Sequence, residues 1–299
     1  MSEVAAPHGV QALLDPRQVA RRFGAAAATY DAAAWLQGLA RDELLSRLDL
    51  LQAPPARVLD LGAGTGLAAR RIKRHFPRAV VIAADIAAPM LAVARSRSRF
   101  WRRIHCVQAD AQSLPFADAS FDLVFSNLML QWLVPPDIAL AGISRVLKPG
   151  GLLLASSFGP ETLRELRAAW GAADAGAHVH EFIDVHDLGS ALSRAGFAET
   201  VLDVDRHVRH YAGARALMQE LRALGARNLD ARRARGLTGR GAFARMNAAY
   251  ETLRTPAGLP ATWQLVHAVA WAQPPRGGHA GEMQIALAEV RARLAQRRG

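Results

Sequence analysis

The stretch Val58-Leu59-Asp60-Leu61-Gly62-Ala63-Gly64-Thr65-Gly66 constrains this chain more than any other. A short apolar run ends in an acid and passes straight into Gly-x-Gly-x-Gly, and the helical pattern Leu67 to His75 follows. Glycines at such a turn let the backbone bend tightly and approach a ligand, which a side chain would prevent. The helix beginning there presents unpaired N–H groups to a polar or anionic group. Spacing narrows the ligand. A dinucleotide fingerprint needs Gly-x-Gly-x-x-Gly, but Leu67 stands in the last glycine's place, and no Gly-Lys-Ser/Thr phosphate cradle follows.

Three further apolar runs end in polar groups. Ala79 to Ala84 ends at Asp85, roughly 20 residues past the loop, where a carboxylate is the expected acceptor for two ribose hydroxyls. Ile104 to Ala109 ends at Asp110, placed to accept from an adenine amino group, and Phe121 to Ser126 ends at Asn127. Helical segments between the runs imply a parallel sheet, and ligands of such sheets sit outside the carboxyl ends of the strands. Taken singly, Asp85, Asp110 or Asn127 reads as a helix cap or turn former. Four polar strand ends in order point instead to one crevice.

Pro115-Phe116-Ala117-Asp118-Ala119-Ser120-Phe121-Asp122 and the turn Val146-Leu147-Lys148-Pro149-Gly150-Gly151 into a fifth strand, Leu152 to Phe158, complete a pattern over about residues 55–160. That pattern resembles class I S-adenosylmethionine (SAM) methyltransferases. The resemblance implies an α/β, Rossmann-like fold: a central, mostly parallel seven-stranded sheet with helices on both faces and an N-terminal helical lid. It also implies SAM as cofactor, held by Asp60, Gly62, Gly64, Gly66, Asp85, Ile86, Met90, Asp110, Ala111 and Asn127.

At 299 residues the chain can bury a large core, as one elaborated domain or one domain with a lid. No apolar stretch is long enough to span a membrane, and the N-terminus lacks the basic-then-apolar order of a signal peptide. The single cysteine, Cys106, excludes an internal disulfide and fits a reducing cytoplasm. It lies in a predicted core strand, where it is expected to be a small buried hydrophobe. Clustered Cys/His spacing is absent, and His178-Val179-His180 with His186 does not make a zinc site, so no metal is expected. The formal charge of +11 is almost wholly arginine, since Lys73 and Lys148 are the only lysines. Such a balance suits an acidic partner or reflects composition alone. The densest arginine runs, 95–103 and 232–235, lack the interleaved aromatics of nucleic-acid stacking surfaces. No Asn-Pro-Pro-Tyr pocket follows the fourth strand either, so neither nucleic acid nor membrane is expected as a partner.

Flanking segments carry the acceptor information. Residues 1–53 read as a helical lid ending before Pro54-Pro55, and Tyr30 and Gln37, seven apart, are assigned to one helical face. Residues 54–272 read as the catalytic domain, with a helical insertion at about 212–260. Within it, 178–183 reads as a loop or short strand, Ala198 to Tyr211 as extended, and Trp263 to Trp271 as the last strand. Residues 273–299 read as a linker and a terminal amphipathic helix with Met283, Leu287, Val290 and Leu294 on one side.

Phe23 with Tyr30-Asp31 and Gln37, Asn127 to Trp132, Ser157 to Leu163, His178 to Asp187, Arg235 to Arg240, and Gly258 to Thr262 form a second pattern, over about 17–271. It resembles the malonyl-[acyl-carrier protein] O-methyltransferases of biotin synthesis. By that resemblance the enzyme methylates the free carboxylate of a malonyl thioester on an acidic carrier protein, giving an ester that primes pimelate synthesis. A carboxylate is already an anion near neutrality, so the site needs positioning and dryness rather than a general base. Tyr30 and Gln131 are the expected positioning residues. Arg22, Gln37, Trp132, His178, His180 and Phe182 are expected to line the acceptor site. A tricarboxylate or quinone methyltransferase, or an assembly factor on the same fold, remains the alternative.

Overall fold

The computed structural model describes residues 14–98, 102–174, 176, 178–226 and 239–273. The 232–235 arginine run, most of the glycine-rich turn 235–240, and the terminal helix expected after residue 273 lie outside them.

The N-terminal segment is three helices, α1 (Pro16–Ala26), the single turn α2 (Tyr30–Ala33) and α3 (Trp35–Ser46). Asp15 caps α1 by accepting from the Arg17 N–H, with Pro16 in the first turn. Alternating strands and helices follow: β1 (Arg57–Leu61), α4 (Leu67–His75), β2 (Val80–Asp85), α5 (Ala88–Ser96), β3 (His105–Gln108), β4 (Phe121–Ser126), α6 (Asp137–Val146) and β5 (Leu147–Phe158). Then come α7 (Arg164–Gly171), α8 (Val185–Arg194), β6 (Phe197–Tyr211), α9 (Ala214–Ala223), α10 (Arg240–Glu251) and β7 (Leu259–Ala272).

The sheet has seven strands in the order β3-β2-β1-β4-β5-β7-β6. β1 to β5 run parallel, while β7 is antiparallel to both β5 and β6. Strand residues alternate between two buried faces. Leu59, Ile82, Val124 and Leu153 pack with Leu140 and Ile143 of α6. Val58, Val81, Leu123 and Leu152 pack on the other face with Leu44 of α3 and Ile72 of α4. A third cluster joins Phe158 at the end of β5 to Trp263 of β7, Leu217 of α9 and Tyr250 of α10. The parallel half therefore places all its strand tips at one end, and the antiparallel pair extends the sheet beyond them.

Two expectations change. Tyr30 and Gln37 do not share a helix, because Ala34, at φ −83° and ψ 42°, separates α2 from α3. The last strand begins at Leu259 rather than Trp263, since its pairing with β6 continues to Tyr211.

Candidate functional site

The glycine turn is held by backbone bonds: the N–H groups of Gly62 and Ala63 both donate to the Ala84 carbonyl, at 2.8 and 3.0 Å. Gly62 has φ +73°, and a Cβ there would lie 2.5 Å from Met129 Cγ. At Gly66 (φ +75°) a Cβ would meet Ala94 at 2.8 Å, so this glycine serves helix packing and lines no part of the cleft. Asp85 accepts from the Gly64 N–H on one carboxylate oxygen and from the Ala87 N–H on the other, each at 2.8 Å. Its pKa is raised by burial, against the pull of these N–H bonds. Asp60, 1% exposed, accepts from the Ala69 N–H at 2.8 Å. Burial pushes its pKa up to about 7; the Ala69 bond opposes this and the neighbouring Asp85 charge adds to it.

These strand tips open on a cleft of about 750 Å³ lined by Gly62, Gly64, Asp85, Ile86, Met90, Asp110, Ala111 and Asn127. Asp60 lies behind it, on an adjoining recess that also reaches Tyr30, Gln37 and Asn127. The N-terminal helices close one side. Gly24 of α1 lies against Pro89 of α5, where an added Cβ would come 3.2 Å from Pro89 Cγ, and Phe23 and Tyr30 face the cleft. The Tyr30 phenol is desolvated and near Asp85 and Asp31, all of which raise its pKa and keep it a neutral donor. Thr65 Oγ1 donates to Asp31 Oδ1 at 2.6 Å, and Asp31 pairs with Arg97, so the turn before α4 is tied to α2. Among the described residues the cleft wall carries carboxylates and no lysine or arginine. That suits a nucleoside with hydroxyls and positive charge, and does not suit a phosphate.

A second cavity of about 700 Å³ adjoins it, and Trp132 lines both. Its wall is aromatic. Trp132 packs edge-on against Phe23, with centroids 5.2 Å apart, and lies parallel to His180 at 6.2 Å. Phe182 packs against both His180 and Phe158, at 5.3 Å each. Polar groups are few and fixed. Glu220 of α9 accepts from Trp35 Nε1 at 2.6 Å and the Tyr211 hydroxyl at 2.8 Å. His178 lies on Trp170 at 3.8 Å, its Nε2 2.7 Å from an Asp174 carboxylate oxygen. Gln37 reaches both this cavity and the recess behind the cleft. Its carbonyl accepts from Asn127 Nδ2 at 2.9 Å, and its side-chain Oε1 is buried with no partner.

The structure thus brings Tyr30, Gln37, Asn127 and Trp132 to the junction of the two spaces, and His178, His180 and Phe182 to the far wall of the second. Two expected residues are not brought there. Gln131 is 5% exposed, its Nε2 donating to the Leu128 carbonyl at 2.6 Å, and it lines neither space because the 3-10 turn Leu130–Trp132 points Trp132 outward instead. Arg22 lies on the side of α1 that meets the turn after α9, its carbonyl 3.0 Å from where a Cβ on Gly225 would be. Trp35, Glu220 and Trp263 also line the second cavity and are not among the site residues expected from the sequence. No motif marks them.

Comparison with known proteins follows the same division. A family model described as a methyltransferase domain matches residues 59–155. A Haloferax volcanii methyltransferase solved with its Trm112 activator aligns with TM-score 0.56 and 20% identity, over 87% of this chain and 100% of that one. A SAM-dependent methyltransferase from Thermotoga maritima aligns with TM-score 0.52 and 18% identity, over 85% and 100%. The fold is therefore that of class I methyltransferases. Closer relatives refine this. The malonyl-[acyl-carrier protein] O-methyltransferase of Laribacter hongkongensis is 46% identical over 265 residues, 86% of this chain and 89% of the relative. That of Halorhodospira halophila is 44% identical over 285 residues, 94% and 97%. That of Xylella fastidiosa is 47% identical over 262 residues, 87% and 89%. The chain belongs to the malonyl-[acyl-carrier protein] O-methyltransferase family. Among the described residues no helix is long and apolar enough to cross a membrane, and no three His, Cys, Asp or Glu side chains are grouped to hold a metal.

Proposed function

We propose that this protein transfers the methyl group of SAM to the free carboxylate of malonyl-acyl-carrier protein, in the cytoplasm, and that the methyl ester serves as starter for the pimelate moiety of biotin. One observation carries the reading: a cleft that carries carboxylates and, among the described residues, no lysine or arginine meets a largely apolar, aromatic cavity at Trp132. SAM, when bound, would supply a sulfonium methyl group to an in-line attack by a carboxylate oxygen, the neutral thioether S-adenosylhomocysteine leaving. The residues hold and dry the reactants. Asp85 is assigned the ribose hydroxyls and Asp110 the adenine amino group, with Gly62, Gly64, Ile86, Met90 and Ala111 shaping the cleft. Asp60 and Gly66 act one step back, Asp60 by anchoring the Ala69 N–H and Gly66 by admitting α5.

The acceptor carboxylate is assigned to the junction. There the neutral donors Tyr30 and Gln37 orient it without neutralising it, while Trp132, His180 and Phe182 exclude water. Alignment of two reactants is worth roughly 7–11 kcal/mol in well-oriented systems. Attack of an anion on a cation destroys charge, so an apolar enclosure suits it. Residues 14–53 serve as the lid, α1 and α2 covering the cleft while α3 walls the cavity. The carrier is assigned as an acidic partner drawn by the +11 charge of the chain.

The test offers purified protein methyl-labelled SAM with malonyl-carrier, acetyl-carrier and total RNA. Base-labile label on the malonyl carrier alone is the expected result. Label on RNA, or equal label on both carriers, overturns the reading.

A further inference from the structure

The cofactor cleft matches only part of SAM. Among the described residues its wall carries carboxylates and no lysine or arginine, which suits ribose hydroxyls and a sulfonium. SAM also ends in an α-amino acid, whose carboxylate is its one anionic group. Beside Asp85 and Asp110 that group would meet like charge.

The recess behind the cleft offers the missing charge. It encloses about 410 Å³ and shares Tyr30, Gly62, Gly64 and Asn127 with the cleft, so one ligand can occupy both. Among the described residues its wall holds one acid, Asp60, and one guanidinium, that of Arg41 on α3. The Arg41 side chain is 18% exposed and turns back along its helix, since a Cβ on Gly38 would stand 3.7 Å from its Nη2. Asp42 accepts from Arg41 Nε and pairs with Nη2, each at 3.0 Å, and Nη1 makes no hydrogen bond among the described residues. Asp42 does not cancel this cation, because its side chain is 54% exposed and pairs with Arg71 as well. Two guanidiniums thus share one solvated carboxylate. Arg41 does not line the second cavity, so its partner is the cofactor rather than a group held there.

We propose that Arg41 is the residue that selects intact SAM, its guanidinium pairing from the recess with the α-carboxylate of the amino-acid end. A cofactor without that carboxylate is discriminated against. With Asp60 on the same wall, the recess offers both charges of a zwitterion. The inference rests on SAM as the cofactor and not on the acceptor proposed above.

The test is calorimetric titration of the wild type, Arg41→Gln and Arg41→Lys with SAM, decarboxylated SAM and 5′-methylthioadenosine, which lacks the whole amino-acid end. No acceptor is present, so failure of the proposed methyl transfer would leave the result readable. The wild type should bind SAM about tenfold or more tightly than decarboxylated SAM. Arg41→Gln should lose that preference, weakening SAM about tenfold while holding 5′-methylthioadenosine within about twofold of wild type. Arg41→Lys, which keeps the charge, should retain most of the SAM affinity. A wild type that binds SAM and decarboxylated SAM equally overturns the assignment whatever the variants do. So does an equal loss on all three ligands in Arg41→Gln, because the arginine would then act through the fold. Unchanged SAM affinity in Arg41→Gln with a raised KM for malonyl-carrier moves Arg41 to the acceptor and overturns it too.

Discussion

At the scale of single residues, the two buried carboxylates set the behaviour of the cofactor cleft. Asp60, with a pKa of about 7 in the fold, is half-protonated near neutrality. A raised carboxyl stabilises the fold at low pH, and that contribution is lost as pH rises through about 7, a difference of up to about 4 kcal/mol. Asp60→Asn keeps an acceptor for the Ala69 N–H without the buried charge. It should therefore lose less Tm than wild type between pH 6 and 8. The same proton couples to ligand. A cationic cofactor favours ionised Asp60, so SAM should bind more tightly at pH 8 than at pH 6 and release a proton, as calorimetry in buffers of different ionisation heat will read. Gly62→Ala should abolish SAM binding, because φ is +73° and the new methyl would collide with Met129 at 2.5 Å. Gln131→Ala should cost about 1–3 kcal/mol by stripping a buried carbonyl of its donor while leaving turnover near wild type in the cold. Gln37→Leu should instead lower kcat with the fold intact.

At the scale of elements, α9 joins the second cavity to the N-terminal helices. Its Glu220 receives Trp35 of α3 and Tyr211 of β6, and the turn after it packs Gly225 against the Arg22 carbonyl of α1. Thr29, before α2, donates weakly to the Ala223 carbonyl at 3.5 Å. Gly225 has φ +71°, so Gly225→Ala strains the turn and pushes α9 from α1. The expected outcome is a raised KM for both substrates, read in steady-state kinetics, with Tm lowered by a few degrees. Equal kinetics in this variant would separate lid and cavity into independent units.

At the scale of the whole molecule, the sheet's far face holds a buried charged cluster. Arg47, 1% exposed, pairs with Glu43 and Asp203, and His267 of β7 lies fully buried, 3.5 Å from Asp205. Burial, then the Arg47 charge, lowers the His267 pKa to about 4, against the opposing pull of Asp205, Glu43 and Asp203. The unfolded chain binds a proton near pH 6.5 that the fold refuses, so stability should fall between about pH 6.5 and 4 and level off below. Urea midpoints across that range should slope less steeply for His267→Gln. Asp60, raised from the ordinary carboxylate range to about 7, acts in the opposite direction over nearly the same pH range, so the two slopes oppose each other and the comparison of His267→Gln with wild type isolates the histidine.

The sequence by itself determined the parallel half of the sheet and the cofactor cleft. Apolar runs, their polar ends and a glycine turn are local features, and each strand tip follows its own strand. The sequence also pointed to the loop 178–182 and to Trp132. Tertiary structure alone decided which polar groups meet there. Tyr30 and Gln37 converge although they stand on different helices, and Gln131 turns inward while its neighbour Trp132 turns out. Trp35 and Glu220 bond across a separation of 185 residues, which leaves no period or spacing to read. The second cavity is built from α3, the Trp132 turn, the 178–182 loop, α9 and β7. Its walls exist only once packing has brought distant segments together.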